Sequence, residues 1–311
     1  MNQDRIVCGW LLRTSFSLPE LMPWSGTDRV PDVIFSRCES DGRERTDWAA
    51  ISLLMRRYHD GRWGLRLPSI GEFVVRGDSY VDLIPETNVA SEQLSTLALG
   101  PALALLCHQR KLLALRATAV GHNGCAMLLL GAPGVGKSTT AYQLLQKGFQ
   151  LISDGIAVIA YGKEHEVTKA LSTSPALCLW RSAVETLGRP CGAVTPIRPN
   201  LEKYSVLSQP HRFDPFAALP IRHAIWLVRR SVQSRDFATI PDPAVYLERL
   251  KMHLYFRQLF QGAAASHLSS LLQRLVMTSK AHVVCLQDPV DAASQVEELL
   301  SHEEIQGADT R

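Results

Sequence analysis

The sequence predicts an α/β protein in two parts, a smaller N-terminal α+β part and a C-terminal part built on a buried sheet. Three observations predict it. Residues 62–85 alternate in period two around turn residues. From about residue 112, short apolar runs of strand length alternate with helical stretches. One of these runs, Cys125–Leu130, passes directly into a glycine-rich turn and then a helix. The 311 residues suffice for one large domain or two ordinary ones, and 46% hydrophobic against 20% charged residues is an ordinary globular balance.

Each element follows in order. Residues 1 to about 47 read as irregular, rich in Pro, Ser and charge, with strand-like pieces such as DVIFSRC. WAAISLLMRRYH carries apolar residues at helical or buried spacing. Arg62 to Leu67 alternates, Glu72 to Arg76 forms a second run, Gly77-Asp78 turns the chain, and Tyr80 to Pro85 leads out, which makes a β-meander. The Arg-Gly-Asp within it is turn chemistry. SEQLSTLALGPALALLCHQRKLL reads as a helix broken near Gly100-Pro101. LLALRATAV is a strand, His122-Asn123-Gly124 a turn, and CAMLLL a strand buried on both faces. STTAYQLLQKG is a helix closed by Lys147-Gly148. FQLISD and IAVIAY are strands, ALCLWRSAVETLG a strand or loop and then a helix, and RHAIWLVRR a further buried strand. Residues 243–277 look helical throughout. AHVVCLQ is the last strand and DAASQVEELLSH the last helix, with Asp291 at its N-cap. The expected division is 1–115, 116–303 and a polar tail, 304–311.

The formal charge of +3 gives no footprint for a nucleic-acid partner. No apolar run approaches the roughly 20 residues that span a bilayer, and the N-terminal residues do not resemble a signal peptide. The seven cysteines are scattered without a CxxC pair, and the ten histidines lack metal spacing. The expectation is a cytoplasmic protein with reduced thiols, mostly buried, and no membrane partner. Trp180 and Trp226 lie in apolar runs and read as core; Arg229-Arg230 closes a strand, facing either phosphate or solvent.

The stretch GAPGVGKSTT, residues 131–140, satisfies G-x-x-x-x-G-K-[S/T]. Glycines let consecutive backbone N–H groups point into one concavity, and the following helix adds its N-terminal dipole. The expectation is a nucleotide site formed by Gly131, Ala132, Pro133, Gly134, Val135, Gly136, Lys137, Ser138 and Thr139, with Lys137 reaching the β- and γ-phosphates and Ser138 coordinating Mg²⁺. Asp154 ends the strand that comes next in sequence. If that strand lies parallel beside CAMLLL, Asp154 shares the loop's edge, where an acid can orient Mg²⁺ or accept a proton. The alternative is an ordinary Ser-Asp-Gly turn.

At these residues, CAMLLLGAPGVGKSTTAYQLLQKGFQLISDGIAVI, the chain resembles the HPr kinase/phosphorylase family, and more closely the HPr-kinase-like proteins of lasso-peptide (ribosomal peptide) clusters. LALGPALALLCHQRKLLALRATAV, PALCLWRSAVETLG and IRPNLEKYSVL resemble further blocks. The resemblance implies an HPr-kinase-like C-terminal domain, ATP and Mg²⁺, and a homo-oligomer. It implies Lys137 and Ser138 on phosphate and Mg²⁺, Asp154 as general base, Arg198 and Lys203 as cations at the transferred group, and Glu202 beside Ser138 and Asp154 at the metal. The family's second Asp is Gly155 here, and its usual His is Arg116. The implied activity is transfer of the γ-phosphoryl group of ATP to a Ser or Thr hydroxyl of a peptide or small protein, such as the C-terminal Ser of a lasso-peptide precursor. The N-terminal part would help recognise it. The two departures motivate the alternative of a nucleotide-binding regulatory or scaffold protein with little or no transfer.

Overall fold

The computed structural model describes residues 2–26, 29–38, 48–86, 89, 94–95, 97–162, 167–188, 194–198, 201–208, 210–229, 237–259, 263–286 and 292–308. Its fold is mixed α/β, with two nine-stranded sheets and one three-stranded sheet. The first sheet comprises β1 (Gln3–Val7), β2 (Trp10–Thr14), β3 (Met22–Pro23), β4 (Val33–Arg37), β5 (Trp48–Ala50), β6 (Met55–Tyr58), β7 (Trp63–Leu67), β8 (Gly71–Arg76) and β9 (Tyr80–Pro85). Their spatial order is β3-β1-β2-β4-β9-β8-β7-β6-β5.

The meander read from residues 62–85 is present as β7, β8 and β9, with Leu65↔Phe73 and Phe73↔Leu83 in register. Residues 48–58 depart from helical spacing and form the hairpin β5–β6, because Trp48, Ala49 and Ala50 pair with Tyr58, Arg57 and Arg56. The first residues are less irregular than their composition suggests: β1 and β2 form a hairpin, and Val7, Leu11 and Leu12 are buried. A short π-turn, Ala98–Ala102, contains Pro101 and runs into α1 (Leu103–Gln109). Leu103, Leu105, Leu106 and Cys107 of α1 pack on Leu12, Val33, Phe73 and Leu83 of the first sheet.

The second sheet runs β10 (Leu113–Leu115), β14 (Ala157–Gly162), β15 (Val167–Leu171), β19 (Ala218–Arg229), β12 (Cys125–Leu130), β11 (Thr118–His122), β13 (Gln150–Ser153), with β21 (Lys280–Leu286) on the other side of β19 and β20 (Phe237–Thr239) beyond it. A three-stranded sheet of β16 (Ala176–Trp180), β18 (Leu201–Leu207) and β17 (Val194–Arg198) stands apart. The expected strand LLALRATAV is two strands, parted at Arg116-Ala117: β10 joins the second sheet beside β14, and β11 joins it between β12 and β13.

Alternate residues of β12 enter different cores, as a strand buried on both faces requires. Ala126, Leu128 and Leu130 meet α4 (Pro243–Lys251) and α5 (Ala263–Thr278) through Tyr246, Leu250, Leu268 and Leu272. Met127 and Leu129 meet α2 (Lys137–Gln146) and α6 (Ala292–Ala308) through Ala141, Leu144, Val296 and Leu299. The short helix α3 (Arg181–Thr186) follows β16. Residues 243–277 are not one helix. Between α4 and α5 the chain leaves the helical path: Arg116 N–H donates to His253 O at 2.7 Å, and Tyr255 N–H to Ala114 O at 3.0 Å. Those long-range backbone bonds outweigh local helix propensity. The expected N-cap Asp291 lies outside the described residues, and the backbone of α6 continues to Ala308.

Candidate functional site

The site grows from the end of β12. Gly131 has φ +133°, and a Cβ there would lie 2.5 Å from Leu227 O of β19, so the strand can turn into the loop only at glycine. Val135 is buried and pins the loop to the core beneath, while Ala132, Pro133 and Gly134 are exposed. The chain then enters α2 at Lys137, with Gly136 as N-cap and no side chain capping it, so the first-turn amides face outward. Ser138 and Thr139 lie half-buried in that first turn. Lys137 Nζ donates to Gly131 O at 2.9 Å and Ala132 O at 3.0 Å. Burial lowers its pKa, the nearby Asp154 carboxylate raises it, and Lys203 lowers it further.

The return from α2 is short. Lys147 and Phe149 both bond Leu144 O, buried Phe149 anchors the turn, and β13 delivers Asp154. The strands β13 and β12 run in the same direction but are not neighbours, because β11 lies between them, antiparallel to each. Asp154 therefore shares the loop's edge by way of an intervening strand. That strand adds a contact the sequence reading missed: the hydroxyl of buried Thr118 donates to Asp154 Oδ1 at 2.5 Å. Ser138 Oγ donates to the same carboxylate, 2.9 Å from Oδ1 and 3.0 Å from Oδ2. The backbone N–H of Cys178 donates to Oδ2 at 2.7 Å. Three donors thus occupy a carboxylate with about four lone-pair positions.

The small sheet forms one wall. Leu177 and Leu179 enter the core, so Cys178 and Trp180 face the other way. Burial, then Asp154, pushes the Cys178 thiol up to about 12, so it stays neutral. Trp180 is 43% exposed, a correction to its expected place in the core; Trp226 is buried as expected. Lys203, side by side with Trp180 in register, holds its ammonium 5.7 Å from the indole centroid. Glu202, one residue before Lys203, is 68% exposed and pairs with Arg181 at 3.1 Å. It does not join Ser138 and Asp154, because alternation along β18 sends it to the face opposite Lys203. The backbone of Arg198 ends β17, and its side chain lies outside the described residues.

The break between α4 and α5 also approaches Asp154. Tyr255 Oη donates to Gly155 O at 3.2 Å, and the Arg116 guanidinium lies 4.6 Å from the Tyr255 ring centroid. Gly155 has φ +78°, a conformation suited to glycine. His253 accepts the indole N–H of Trp226 at 3.0 Å; burial first, then the Lys137 charge, lowers its pKa. Arg229 Nη2 donates to Gly134 O at 3.3 Å. Among the described residues, Lys137, Lys203, Arg116 and Arg229 form no ion pair with a carboxylate. The arrangement sets Lys137, with Lys203 nearby, beside a hydroxyl-carboxylate pair at a helix N-terminus, and the charge of Glu20 also reaches Cys178.

Among the described residues no cluster of three or more His, Cys, Asp or Glu could hold a metal, and no helix is long and apolar enough to cross a membrane. Compared with protein-family models and with curated proteins, the chain matches no family model and no curated sequence.

Proposed function

We propose that residues 131–139 bind the phosphates of a nucleotide, and that the protein is a cytoplasmic ATP-dependent kinase of the HPr-kinase-like kind. It passes the γ-phosphoryl group to a Ser or Thr hydroxyl of a peptide or small protein, with the C-terminal Ser of a ribosomal peptide precursor as the acceptor that the resemblance implies. One observation carries the reading: the Asp154 carboxylate touches the Ser138 hydroxyl, 16 residues away, at the N-terminus of α2 beside Lys137.

The residues present fit Mg²⁺. Ser138 Oγ and the Asp154 carboxylate are hard oxygen donors in contact, and Mg²⁺ takes one or two protein oxygens together with substrate phosphates and water. Ser138 and Asp154 would hold it, and it would supply positive charge beside the transferred group. The protein's own groups do the rest. The loop amides and the first turn of α2 orient the triphosphate. Lys137 leaves the carbonyls of Gly131 and Ala132 to meet phosphate oxygens, and Lys203 adds a second cation. Thr118 and the Cys178 amide fix the plane of the Asp154 carboxylate, leaving about one lone-pair position for the proton of the acceptor hydroxyl.

A second reading rests on the acid count. Gly155 follows Asp154 with a glycine-type backbone where the resemblance implies a second Asp, and Arg116 stands where it implies His. Under that reading the chain binds ATP and transfers nothing. Intact-mass spectrometry of a ribosomal precursor peptide ending in Ser, incubated with protein and Mg-ATP, decides between them. The kinase reading expects a phosphate-sized gain that Lys137→Ala and Asp154→Asn both lose. Full transfer by Asp154→Asn refutes the assigned base; bound ATP with no transfer supports the second reading.

A further inference from the structure

From the geometry of the small sheet we infer that Trp180 is the platform on which the base of the bound nucleotide stacks, and that the base is held by its π-face instead of by its hydrogen-bonding edge. The inference rests on the nucleotide reading of the loop and adds the subsite that this reading leaves unassigned.

Trp180 differs from the chain's other tryptophans. Trp226 is buried, and Trp10, Trp24, Trp48 and Trp63 are half-buried, each with an arginine guanidinium 4.1–5.4 Å from its ring centroid. Trp180 is 43% exposed, and its cation, Lys203, stands farther off at 5.7 Å. Trp180 is thus the tryptophan that offers open ring area close to Lys203 and to the strand residue that holds Asp154.

Its place in the fold points to an occupant. Cys178 gives its amide to Asp154 from the open edge of β16, and the Trp180 side chain lies two residues further along, on the face of the Cys178 thiol, which feels the Asp154 charge. Two residues of strand are about 7 Å. That is the kind of span a ribose and an α-phosphate put between a base and the terminal phosphates. Lys203 sits between the two functions: it approaches the Trp180 ring and its charge is felt at Lys137. The cation thus steadies one side of the indole and leaves area for a flat ring. Every base has a π-face, so stacking alone reads bases poorly. ATP and GTP should therefore bind within a few-fold of each other.

Isothermal titration of the full-length protein with Mg-ATP, Mg-GTP and Mg-tripolyphosphate tests this. Tripolyphosphate presents the phosphates without a base. Trp180→Ala should weaken ATP and GTP roughly tenfold or more, the scale of one base–aromatic stack, and leave tripolyphosphate unchanged. Trp180→Phe, which keeps a ring, should retain most of the affinity. The inference is overturned if Trp180→Ala binds ATP as wild type does. It is also overturned if tripolyphosphate weakens equally, since the residue would then shape the loop and Asp154 and not the base. Preference for ATP over GTP by a hundredfold overturns the face-only recognition. Failure of the loop reading shows elsewhere: wild type would bind neither ATP nor tripolyphosphate, or Lys137→Ala would bind both unchanged.

Discussion

Replacing Asp154 separates its structural duty from its chemical one. The carboxylate accepts from Thr118 Oγ1, Ser138 Oγ and Cys178 N, all within 3.0 Å. In Asp154→Ala, Ser138 is half-buried in the first turn of α2 and can turn its hydroxyl to water. Thr118 is fully buried, and the Cys178 amide is fixed by its strand, so neither can follow. Each stranded donor costs about 1–3 kcal/mol. Some water entry at the pocket mouth lowers the sum, so the expected loss is about 2–4 kcal/mol. Asp154→Asn keeps an oxygen for the Cys178 amide, and its NH₂ can donate to the Thr118 hydroxyl, which also accepts. Its loss should be about 0.5–1.5 kcal/mol. Urea unfolding followed by tryptophan fluorescence compares the midpoints of wild type, Ala and Asn. Equal stability of the Ala variant and wild type refutes the network; an Asn variant as damaged as Ala refutes the exchange of donor and acceptor. A folded Asn variant is also what would make a loss of transfer a statement about chemistry.

Two further outcomes follow. Gly131→Ala must place a Cβ 2.5 Å from Leu227 O at φ +133°, whereas Gly134→Ala meets nothing within 4 Å at φ +77°. The first should cost about 2–4 kcal/mol and the second about 1 kcal/mol, so chemical denaturation that ranks them equally contradicts the packing of the loop on β19. His253 is held neutral by burial, by the Lys137 charge and by the indole N–H it accepts from Trp226. Its folded pKa lies below its unfolded value of about 6.5, so its contribution is present above pH 6.5 and is lost as the pH falls from there toward the folded value. Half-buried His108, whose pKa is lowered by burial and then by the Arg57 charge, has the same sign. Unfolding midpoints should therefore drop between pH 7.5 and 5.5, less steeply in His253→Gln; a midpoint that rises on acidification refutes the assignment.

The parts of the site legible in the sequence are those that local chain dictates. CAMLLL, the glycines, Lys137, Ser138 and the short helix are contiguous, and the quick return to Asp154 follows from the length of α2. What was not legible depends on partners far along the chain. The placing of β11 between β12 and β13 follows from the Asn123-Gly124 hairpin together with pairing to residues 150–153. Thr118 becomes a ligand of Asp154 only through that order. Glu202 and Lys203 are adjacent and both charged, so only the register of β18 against β16 decides which one faces the loop. The run 252–256 has helical neighbours on both sides, and its departure is set by Ala114 and Arg116, well over 100 residues earlier.

The charge pattern explains why those distant walls matter. The loop and α2 alone carry one cation, Lys137, and one hydroxyl, Ser138, which suit almost any small anion. The folded walls add Lys203 from β18, Arg116 from the break before β11 and Arg229 from the end of β19, while Asp154 is the one acid held against Ser138. Cys178, the other ionisable group bonded through its backbone to that acid, stays a neutral thiol. At the partly buried Lys137 the Lys203 charge lowers the pKa and the Asp154 carboxylate raises it. A monoanion offsets one of those positive charges. On the proposed function, a polyphosphate would offset several at once and still leave the Asp154–Ser138 pair to share a divalent cation. Each of these cations comes from a different region of the chain, so the preference for a multiply charged ligand that the proposed function requires would exist only in the folded protein, and the short loop motif by itself does not encode it.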